Sequence, residues 1–182
     1  MTAVATVPWM WTMTADEFET WDPPDDGQRY ELLDGVVVVS PSPLLPHQGL
    51  LGDLYVLLRA ACPPTMRVYL APLDVRLSDR TVAQPDLLVV RAEDARGRKL
   101  AGVPLLTVEL LSDSTRGHDL LLKRARYEAA GVPSYWIFEP ETAEFTVLQL
   151  VDGRYTQVHA GVLGRPPVTL TRPFPLTLDL PR

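Results

Sequence analysis

Short apolar runs separated by turn residues dominate the chain and predict a protein rich in β-strands. The runs lie at residues 29–33, 36–39, 66–70, 73–77, 86–90, 105–111, 134–138, 144–150 and 155–159. Asp34-Gly35 and Asp152-Gly153 each separate two neighbouring runs, and Asp-Gly in that position is a strong hairpin signal. Together with the helices described next, this pattern predicts one α/β (α+β) domain with a mixed sheet.

Three stretches carry the signals of a helix. Thr14 followed by Glu17 has the form of a capping box and predicts a short helix that ends before Pro23. Apolar residues at 50, 51, 54, 57, 58 and 61 repeat with helical spacing, which predicts a second helix over 47–61. The third is predicted over 116–130, where Gly131 follows the last turn as a C-terminal capping residue.

Length and composition are those of an ordinary globular protein. The chain has 182 residues, 46% hydrophobic and 22% charged, which suits a single domain over 1–182. Residues 1–13 are expected to be an N-terminal extension, and the proline-rich residues 160–182 a tail that lies along an edge. One cysteine excludes an internal disulfide, and no apolar run approaches the roughly 18 residues of a membrane span. We therefore expect a cytoplasmic protein with no membrane partner.

The charge of the chain is unevenly distributed. Its net charge of −6 argues against a protein that coats nucleic acid or anionic membrane by bulk charge. Residues 1–60 hold nine acids and two bases, whereas residues 91–126 hold eight bases and five acids. The basic segment suits a site that binds phosphate, although the same charges would also solubilise a loop and a helix.

Two acids occur within or at the start of very apolar runs. Glu109 lies inside the run 105–111, where a buried carboxylate is costly unless it is paired, protonated or bound to a metal. Asp86 opens the run 86–90. Taken singly, each is as well explained as a residue at a strand end or in a turn. On neighbouring strands, the two carboxylates would converge on a hard cation such as Mg²⁺, which activates water and stabilises charge on a phosphoryl oxygen.

Lys123 is the candidate cation for such a site. Asp119, Lys123 and Tyr127 are spaced four residues apart on the third predicted helix, so they share one helical face. One interpretation is an ordinary Asp–Lys pair on a solvated face. The other is a cation directed at the same phosphate as the metal, where negative charge develops during attack.

Two further residues are accessory candidates. Glu31 lies in the first predicted hairpin and would supply a third carboxylate, although Tyr30 or Arg29 would equally satisfy it. His47 begins the second predicted helix, a position where histidine is more often structural or solvated. The chain has neither a phosphate-binding glycine loop nor the G-x-S-x-G motif of a serine nucleophile.

An ordered set of short motifs carries a family resemblance. The motifs are Tyr30–Gly35, Ser40–Pro43 with His47, Gln84–Val90, Val108–Thr115, Asp119 with Lys123 and Tyr127, and Gly131–Trp136. Each motif is weak alone, but in this order they resemble the Uma-type restriction endonucleases, a bacterial family of the PD-(D/E)XK nuclease superfamily. The resemblance extends from about residue 14 to about residue 150, which is most of the chain.

The resemblance implies a fold and a metal site. It implies a restriction-endonuclease-like core, with a central mixed sheet flanked by helices and an N-terminal hairpin that brings Glu31 to the site. Asp86 and Glu109 are implied as ligands of Mg²⁺ or Mn²⁺. The superfamily pattern places a lysine two residues after Glu109, where this chain has Leu111. Lys123, from the following helix, is the expected replacement.

The activity implied by the resemblance is metal-assisted hydrolysis of phosphodiester bonds. Asp86, Glu109 and Lys123 are the expected catalytic residues, and Tyr127 is expected to support them. The expected partner is nucleic acid, with DNA favoured, and the family's habit suggests a homodimer. Two alternatives stay open. Leu111 and the acidic balance favour a binding domain that has kept the nuclease fold without activity, and the acids alone would also suit a hydrolase of another phosphate ester.

Overall fold

The computed structural model describes residues 12–96, 100–112 and 118–180 of the chain. The helical elements in these ranges are α1 (Ala15–Thr20), α2 (Leu45–Ala61), a π-helical turn (His118–Lys123) and α3 (Arg124–Ala130). The strands are β1 (Arg29–Leu33), β2 (Val36–Ser40), β3 (Met66–Leu70), β4 (Val75–Ser78), β5 (Thr81–Ala83), β6 (Leu87–Arg91), β7 (Leu106–Leu110), β8 (Ser134–Glu139), β9 (Glu144–Val151), β10 (Arg154–Val162), β11 (Val168–Leu170) and β12 (Leu176–Leu178).

A mixed six-stranded sheet lies at the centre of the fold. Its strand order is β10-β9-β8-β7-β6-β3, with β7 and β8 parallel and the other described pairs antiparallel. The parallel pair is joined through the π-helical turn and α3, since parallel strands need a crossover connection. In the antiparallel pair of β6 and β7, Leu87 stands opposite Val108. Continuing this register by one residue places Asp86 opposite Glu109.

Helix α2 covers one face of the central sheet. Its buried residues Leu51, Leu54 and Leu58 recur at three- and four-residue intervals, which places them on one side of the helix. They belong to the same apolar cluster as Leu87 of β6 and Leu106 of β7. This packing fixes the beginning of α2, and with it His47, relative to the strands that carry Asp86 and Glu109.

A second, four-stranded sheet and α3 contribute to the apolar clusters of the other face. The strand order of this second sheet is β2-β1-β5-β4. Tyr127 of α3 and Ala83 of β5 belong to one apolar cluster with Tyr135 of β8, and Val75 of β4 clusters with Leu88 of β6. The second sheet therefore brings β1, and the acid that it carries, close to β6 and β7.

The predicted N-terminal elements are confirmed. Thr14 and Glu17 form both hydrogen bonds of a capping box at the start of α1. Asp34 and Gly35 connect β1 to β2 with φ angles of 54° and 85°, as a tight turn between twisted strands requires.

The predicted fold class, α+β with a central mixed sheet, flanking helices and an N-terminal hairpin, is also confirmed. Helix α2 begins at Leu45, two residues before the prediction, and the run predicted at 73–77 forms β4 at Val75–Ser78. The first residues of the predicted third helix lie outside the described residues.

The C-terminal segment differs from the expected edge tail. Residues up to Val162 belong to β10, and β11 and β12 pair with each other in a small sheet of their own. Leu170, Phe174 and Leu178 belong to the same apolar cluster as the buried leucines of α2. Apolar and polar residues alternate over 174–180 because one side of this segment packs against the core and the other faces solvent.

Within the described parts of the chain, no helix is both long enough and apolar enough to cross a membrane.

Candidate active site

Asp86 and Glu109 lie side by side in the interior of the protein. Both are almost fully inaccessible to solvent, with 2% and 0% of their surface exposed. The backbone N–H of Leu110 donates a 2.8 Å hydrogen bond to Asp86 Oδ2. Because directly opposed residues of an antiparallel pair point to the same face, the two carboxylates are neighbours on one side of the sheet.

Lys123 lies between two of the buried carboxylates. Its Nζ is 2.9 Å from Glu31 Oε1 and 3.2 Å from both carboxylate oxygens of Glu109. The residue is 1% exposed, so this cation is almost entirely removed from water. Buried charges of this kind are tolerated only when they are paired and hydrogen-bonded, and here one ammonium joins two strands from different sheets.

Tyr127 holds the same glutamate from the next turn of the helix. Its hydroxyl donates a 2.6 Å hydrogen bond to Glu109 Oε1. Burial of the phenol, together with the negative charge of Glu109, raises the pKa of Tyr127 well above its ordinary value. The hydroxyl therefore stays protonated and donates its hydrogen bond to Glu109.

Glu31 reaches the site from β1 in the second sheet. Its side chain is 1% exposed, and the backbone N–H of Gln84 donates a 2.7 Å hydrogen bond to Glu31 Oε1. Gln84 directly follows β5, which pairs with β1. The strand pairing thus presents both the carboxylate and a donor that fixes its orientation.

Asp86 is bound by a second set of positive or polar groups. Arg29 Nη1 lies 2.6 Å from Asp86 Oδ1, and His47 Nε2 lies 3.3 Å from Asp86 Oδ2. Burial alone would raise the pKa of Asp86. Hydrogen bonding to His47 and the charges of Arg29 and Lys123 outweigh burial and lower that pKa well below its usual range. Asp86 is therefore ionised at neutral pH.

One atom of this second set has no visible partner. The Nδ1 atom of His47 is buried and makes no hydrogen bond among the described residues. Most buried polar side-chain atoms in native structures have a protein or water partner, so this nitrogen has room for one.

All six residues predicted from the sequence lie in this one region. Glu31, Lys123, Glu109 and Tyr127 form one connected network, and Asp86 with His47 adjoins it through the backbone of Leu110. The side chain of Asp119, the third residue of the predicted helical face, lies outside the described residues.

Two contributions to the site were not predicted from the sequence. Arg29 was considered only as a partner of Glu31, whereas it pairs with Asp86. The backbone donor of Gln84 carries no sequence signal at all. The only available hint was the position of Arg29 two residues before Glu31, which places both side chains on the same side of β1.

Leu111 occupies the place where the superfamily pattern has a lysine. It is 5% exposed and packs in the apolar cluster that contains Tyr127 and Tyr135. A charged side chain at this position would be buried among aromatic rings. An ammonium group reaches Glu109 from Lys123, at the end of the π-helical turn.

The donor chemistry of the site fits a divalent cation. Carboxylate oxygens are the ligands that Mg²⁺ prefers, and the ion is commonly held by one or two of them together with water. In formal charges, with His47 counted as neutral, the three carboxylates (Glu31, Asp86 and Glu109) and the cations Arg29 and Lys123 sum to −1. In the described ranges, no three His, Cys, Asp or Glu side chains are arranged as a ready metal cluster. Asp86 and Glu109, on adjoining strands, are the carboxylates that would hold such an ion together with water.

The fold is shared with a nuclease-like protein of known structure. Among the solved structures that match is the crystal structure of "a putative nuclease belonging to DUF820" from Anabaena variabilis ATCC 29413. The TM-score is 0.69 at 19% identity, and the match covers 88% of this chain and 89% of the other. At this identity the likeness shows that the two chains share a fold. No curated protein was found to match the chain.

The family follows from the sequence as a whole. The model of the Uma2 family, described as "Putative restriction endonuclease", matches residues 15–181. Because the match spans nearly the entire chain, the protein belongs to the Uma2 family. The resemblance drawn from the ordered motifs is thereby confirmed, and family and fold together support a nuclease function.

Proposed function

We propose that the protein is a divalent-metal-dependent nuclease that hydrolyses phosphodiester bonds of DNA. The observation that carries the proposal is the placement of two buried carboxylates, Asp86 and Glu109, on adjacent strands with Lys123 beside them. The family description supports nucleic acid, and DNA in particular, as the substrate.

Asp86 and Glu109 are the proposed ligands of Mg²⁺ or Mn²⁺. When bound, such an ion acts as a Lewis acid toward the phosphoryl oxygen and lowers the pKa of a coordinated water. Tyr127 orients Glu109 by donating to Oε1, and the Leu110 N–H orients Asp86 by donating to Oδ2. Both carboxylates are therefore held in place before any ligand arrives.

Lys123 is the proposed source of positive charge for the transition state. Its ammonium group is held at Glu109 by Glu31 on its other side. A fixed cation in a site of low dielectric constant stabilises negative charge that develops on a phosphate more strongly than a cation in water does. The role of Glu31 in this proposal is to position Lys123.

The charge balance of the site is compatible with this substrate. The three carboxylates and two cations sum to −1, so one divalent ion would change the local charge to +1. A phosphodiester carries one negative charge and would then be attracted to the site. The cytoplasmic location and the homodimer remain predictions.

Substitution of the three central residues tests the proposal. The variants Asp86→Asn, Glu109→Gln and Lys123→Gln are expected to lower DNA cleavage by about 100-fold or more, because each removes a ligand or a charge needed at the reacting phosphate. Cleavage of duplex, single-stranded and branched DNA and of RNA would be measured with Mg²⁺ and with Mn²⁺. Circular dichroism would show whether each variant is folded, and Arg76→Gln, at an exposed ion pair with Asp16, is the control.

A specific observation favours one alternative, a nuclease-fold domain that binds nucleic acid without cleaving it. Leu111 replaces the usual lysine, and Asp86 and Glu109 are already paired with cations of the protein itself. If the wild-type protein binds DNA but cleaves none of these substrates with either metal, this alternative replaces the nuclease proposal.

A further inference from the structure

We propose that Arg29 is an exchangeable counter-ion, which pairs with Asp86 in the metal-free protein and binds a phosphate of the nucleic acid once the metal is present. This inference rests on the proposed function, because it requires that Asp86 is a metal ligand. It goes beyond that function by giving Arg29 a role in both metal affinity and substrate binding.

Arg29 pairs with the oxygen of Asp86 that has fewer partners among the described residues. Oδ2 already accepts from the Leu110 N–H and lies 3.3 Å from His47 Nε2. Oδ1 has Arg29 Nη1 at 2.6 Å as its recorded partner. A metal ion that binds Asp86 through Oδ1 must therefore compete with the guanidinium group, and two cations at one oxygen repel each other.

Arg29 also differs from the other cation of the site in its access to solvent. The side chain of Arg29 is 22% exposed, whereas that of Lys123 is 2% exposed. Lys123 is held by two carboxylates from different sheets, Glu31 and Glu109, and is enclosed. Arg29 has a long side chain that is partly exposed to water, and its release from Asp86 toward the solvent is part of the proposal.

The chemistry of the guanidinium group suits a phosphate as the second partner. Its planar fork of N–H donors matches the geometry of carboxylate and phosphate groups alike. A phosphodiester must approach from the solvent side, where Arg29 is the more exposed of the two cations bonded to the carboxylates. Release from Asp86 would therefore leave the guanidinium free to bind the incoming phosphate.

The first measurement is metal affinity. Arg29→Gln is expected to bind Mn²⁺ about fivefold to tenfold more tightly than the wild type in calorimetric titration, because the competing charge at Asp86 is gone. Arg76→Gln, which removes an exposed arginine of β4 paired with Asp16, is the matched control and should leave Mn²⁺ affinity unchanged. A purely structural role of Arg29, holding Asp86 in position, predicts the opposite result, a weaker affinity.

The second measurement is DNA binding without cleavage. With Ca²⁺ in place of Mg²⁺, Arg29→Gln is expected to bind a short fluorescent DNA duplex about tenfold more weakly than the wild type, although it binds metal more tightly. The slope of log affinity against log salt concentration should fall by about one, the value for loss of a single phosphate contact. Arg76→Gln should again behave as the wild type.

A conservative variant keeps the test informative if Arg29→Gln does not fold. Arg29→Lys retains the charge but loses the planar fork, so its Mn²⁺ affinity should stay near that of the wild type while DNA binding weakens. If Mn²⁺ affinity is unchanged or lower in Arg29→Gln, or DNA binding is unchanged in both variants, the inference is wrong.

The same titrations separate this inference from the proposed function. If the wild type and Arg29→Gln both bind no more Mn²⁺ than Asp86→Asn does, the metal site itself is refuted, and the inference with it. If the wild type binds Mn²⁺ through Asp86 but Arg29→Gln binds it no more tightly, only the role of Arg29 is refuted.

Discussion

At the scale of single residues, the buried charges of this protein are stabilised as connected groups. Glu31, Lys123, Glu109 and Tyr127 are linked through contacts of 2.6–3.2 Å. Removal of one partner of a buried ion pair typically costs about 3–5 kcal/mol, because a buried charge is left uncompensated. The network therefore makes the position of Glu109 depend on residues from β1, the π-helical turn and α3.

The ionisation of Asp86 should be visible in the pH dependence of stability. The folded protein holds the pKa of Asp86 below its ordinary value of 3.8, so the carboxylate stabilises the fold fully above about pH 4. As the pH falls further, the unfolded chain takes up the proton first, and this contribution is lost. Asp86→Asn should therefore be less stable than the wild type at neutral pH, by about 3 kcal/mol.

The measurement is urea unfolding of both proteins across the acidic range. The difference between the wild type and Asp86→Asn is expected to shrink as the pH falls from about 4 toward about 2. A difference that stays constant over this range would show that the ionised form of Asp86 contributes nothing to stability.

Residue by residue, the sequence was most informative about the acids. Glu109 was identifiable because a carboxylate inside an apolar run requires a partner. The partner of Asp86 was not identifiable, because Arg29 is 57 positions away in the chain and reaches it only through the placement of β1. Pairings between distant positions depend on the packing of strands, which local patterns do not encode.

At the scale of elements, short sequence motifs were sufficient to predict the turns and helix ends that depend on nearby residues. The Asp34-Gly35 turn and the capping box of α1 depend on residues within four positions of each other, and both are formed. The third predicted helix begins its described part as a π-helical turn, and Lys123 is the last residue of that turn. Such turns are often found at functional sites.

Two glycines, one directly after α3 and one inside α2, give predictions of opposite sign for the free energy of unfolding. Gly131 follows α3 with a φ of 80°, a left-handed conformation that costs an L-residue about 1–2 kcal/mol. Gly131→Ala should therefore lower the free energy of unfolding by about 1 kcal/mol. Gly49 lies inside α2, and an added Cβ there would meet nothing within 4 Å. Gly49→Ala should raise the free energy of unfolding by about 0.5–1 kcal/mol.

Chemical unfolding of the two variants under identical conditions tests this pair. Neither position contacts the buried charges, so the shape of the unfolding transition should not change. A rise in the free energy of unfolding for Gly131→Ala would contradict the left-handed residue at the end of α3, and a fall for Gly49→Ala would contradict the prediction for α2.

Strand β5 shows the limit of element prediction. It has three residues, Thr81–Ala83, all buried, and pairs with both β1 and β4. A run this short carries no measurable periodicity, so it could not be distinguished from a loop. It nevertheless matters to the site, because it places the N–H of Gln84 against Glu31.

At the scale of the whole molecule, the C-terminal segment completes the core. β11 and β12 form a two-stranded sheet, and its buried residues belong to the apolar cluster that contains the buried leucines of α2. A small pair of strands is marginal by itself, so its stability comes from this packing. The prolines of the segment indicate turns, but they do not indicate which side of the segment packs against the core.

Substitution of one buried aromatic residue tests the contribution of this segment. Phe174 is 5% exposed, and Phe174→Ala should lower the free energy of unfolding by about 3–5 kcal/mol through lost burial and a residual cavity. Thr177, exposed on β12, provides the control, since Thr177→Ala should change stability by less than about 0.5 kcal/mol. Thermal unfolding would measure both. A small effect of Phe174→Ala would show that the segment is not part of the cooperative core.

The sequence by itself determined the class of fold, the hairpins, most helix and strand positions and the family. These features depend on short-range spacing, turn chemistry and the order of motifs, all of which are written locally along the chain. Only the tertiary structure decided the pairing of Arg29 with Asp86, the enclosure of Lys123 between Glu31 and Glu109, and the burial of the C-terminal strands. The reason is that electrostatic contacts and burial depend on distances between elements, and those distances are set when two sheets and their helices pack together.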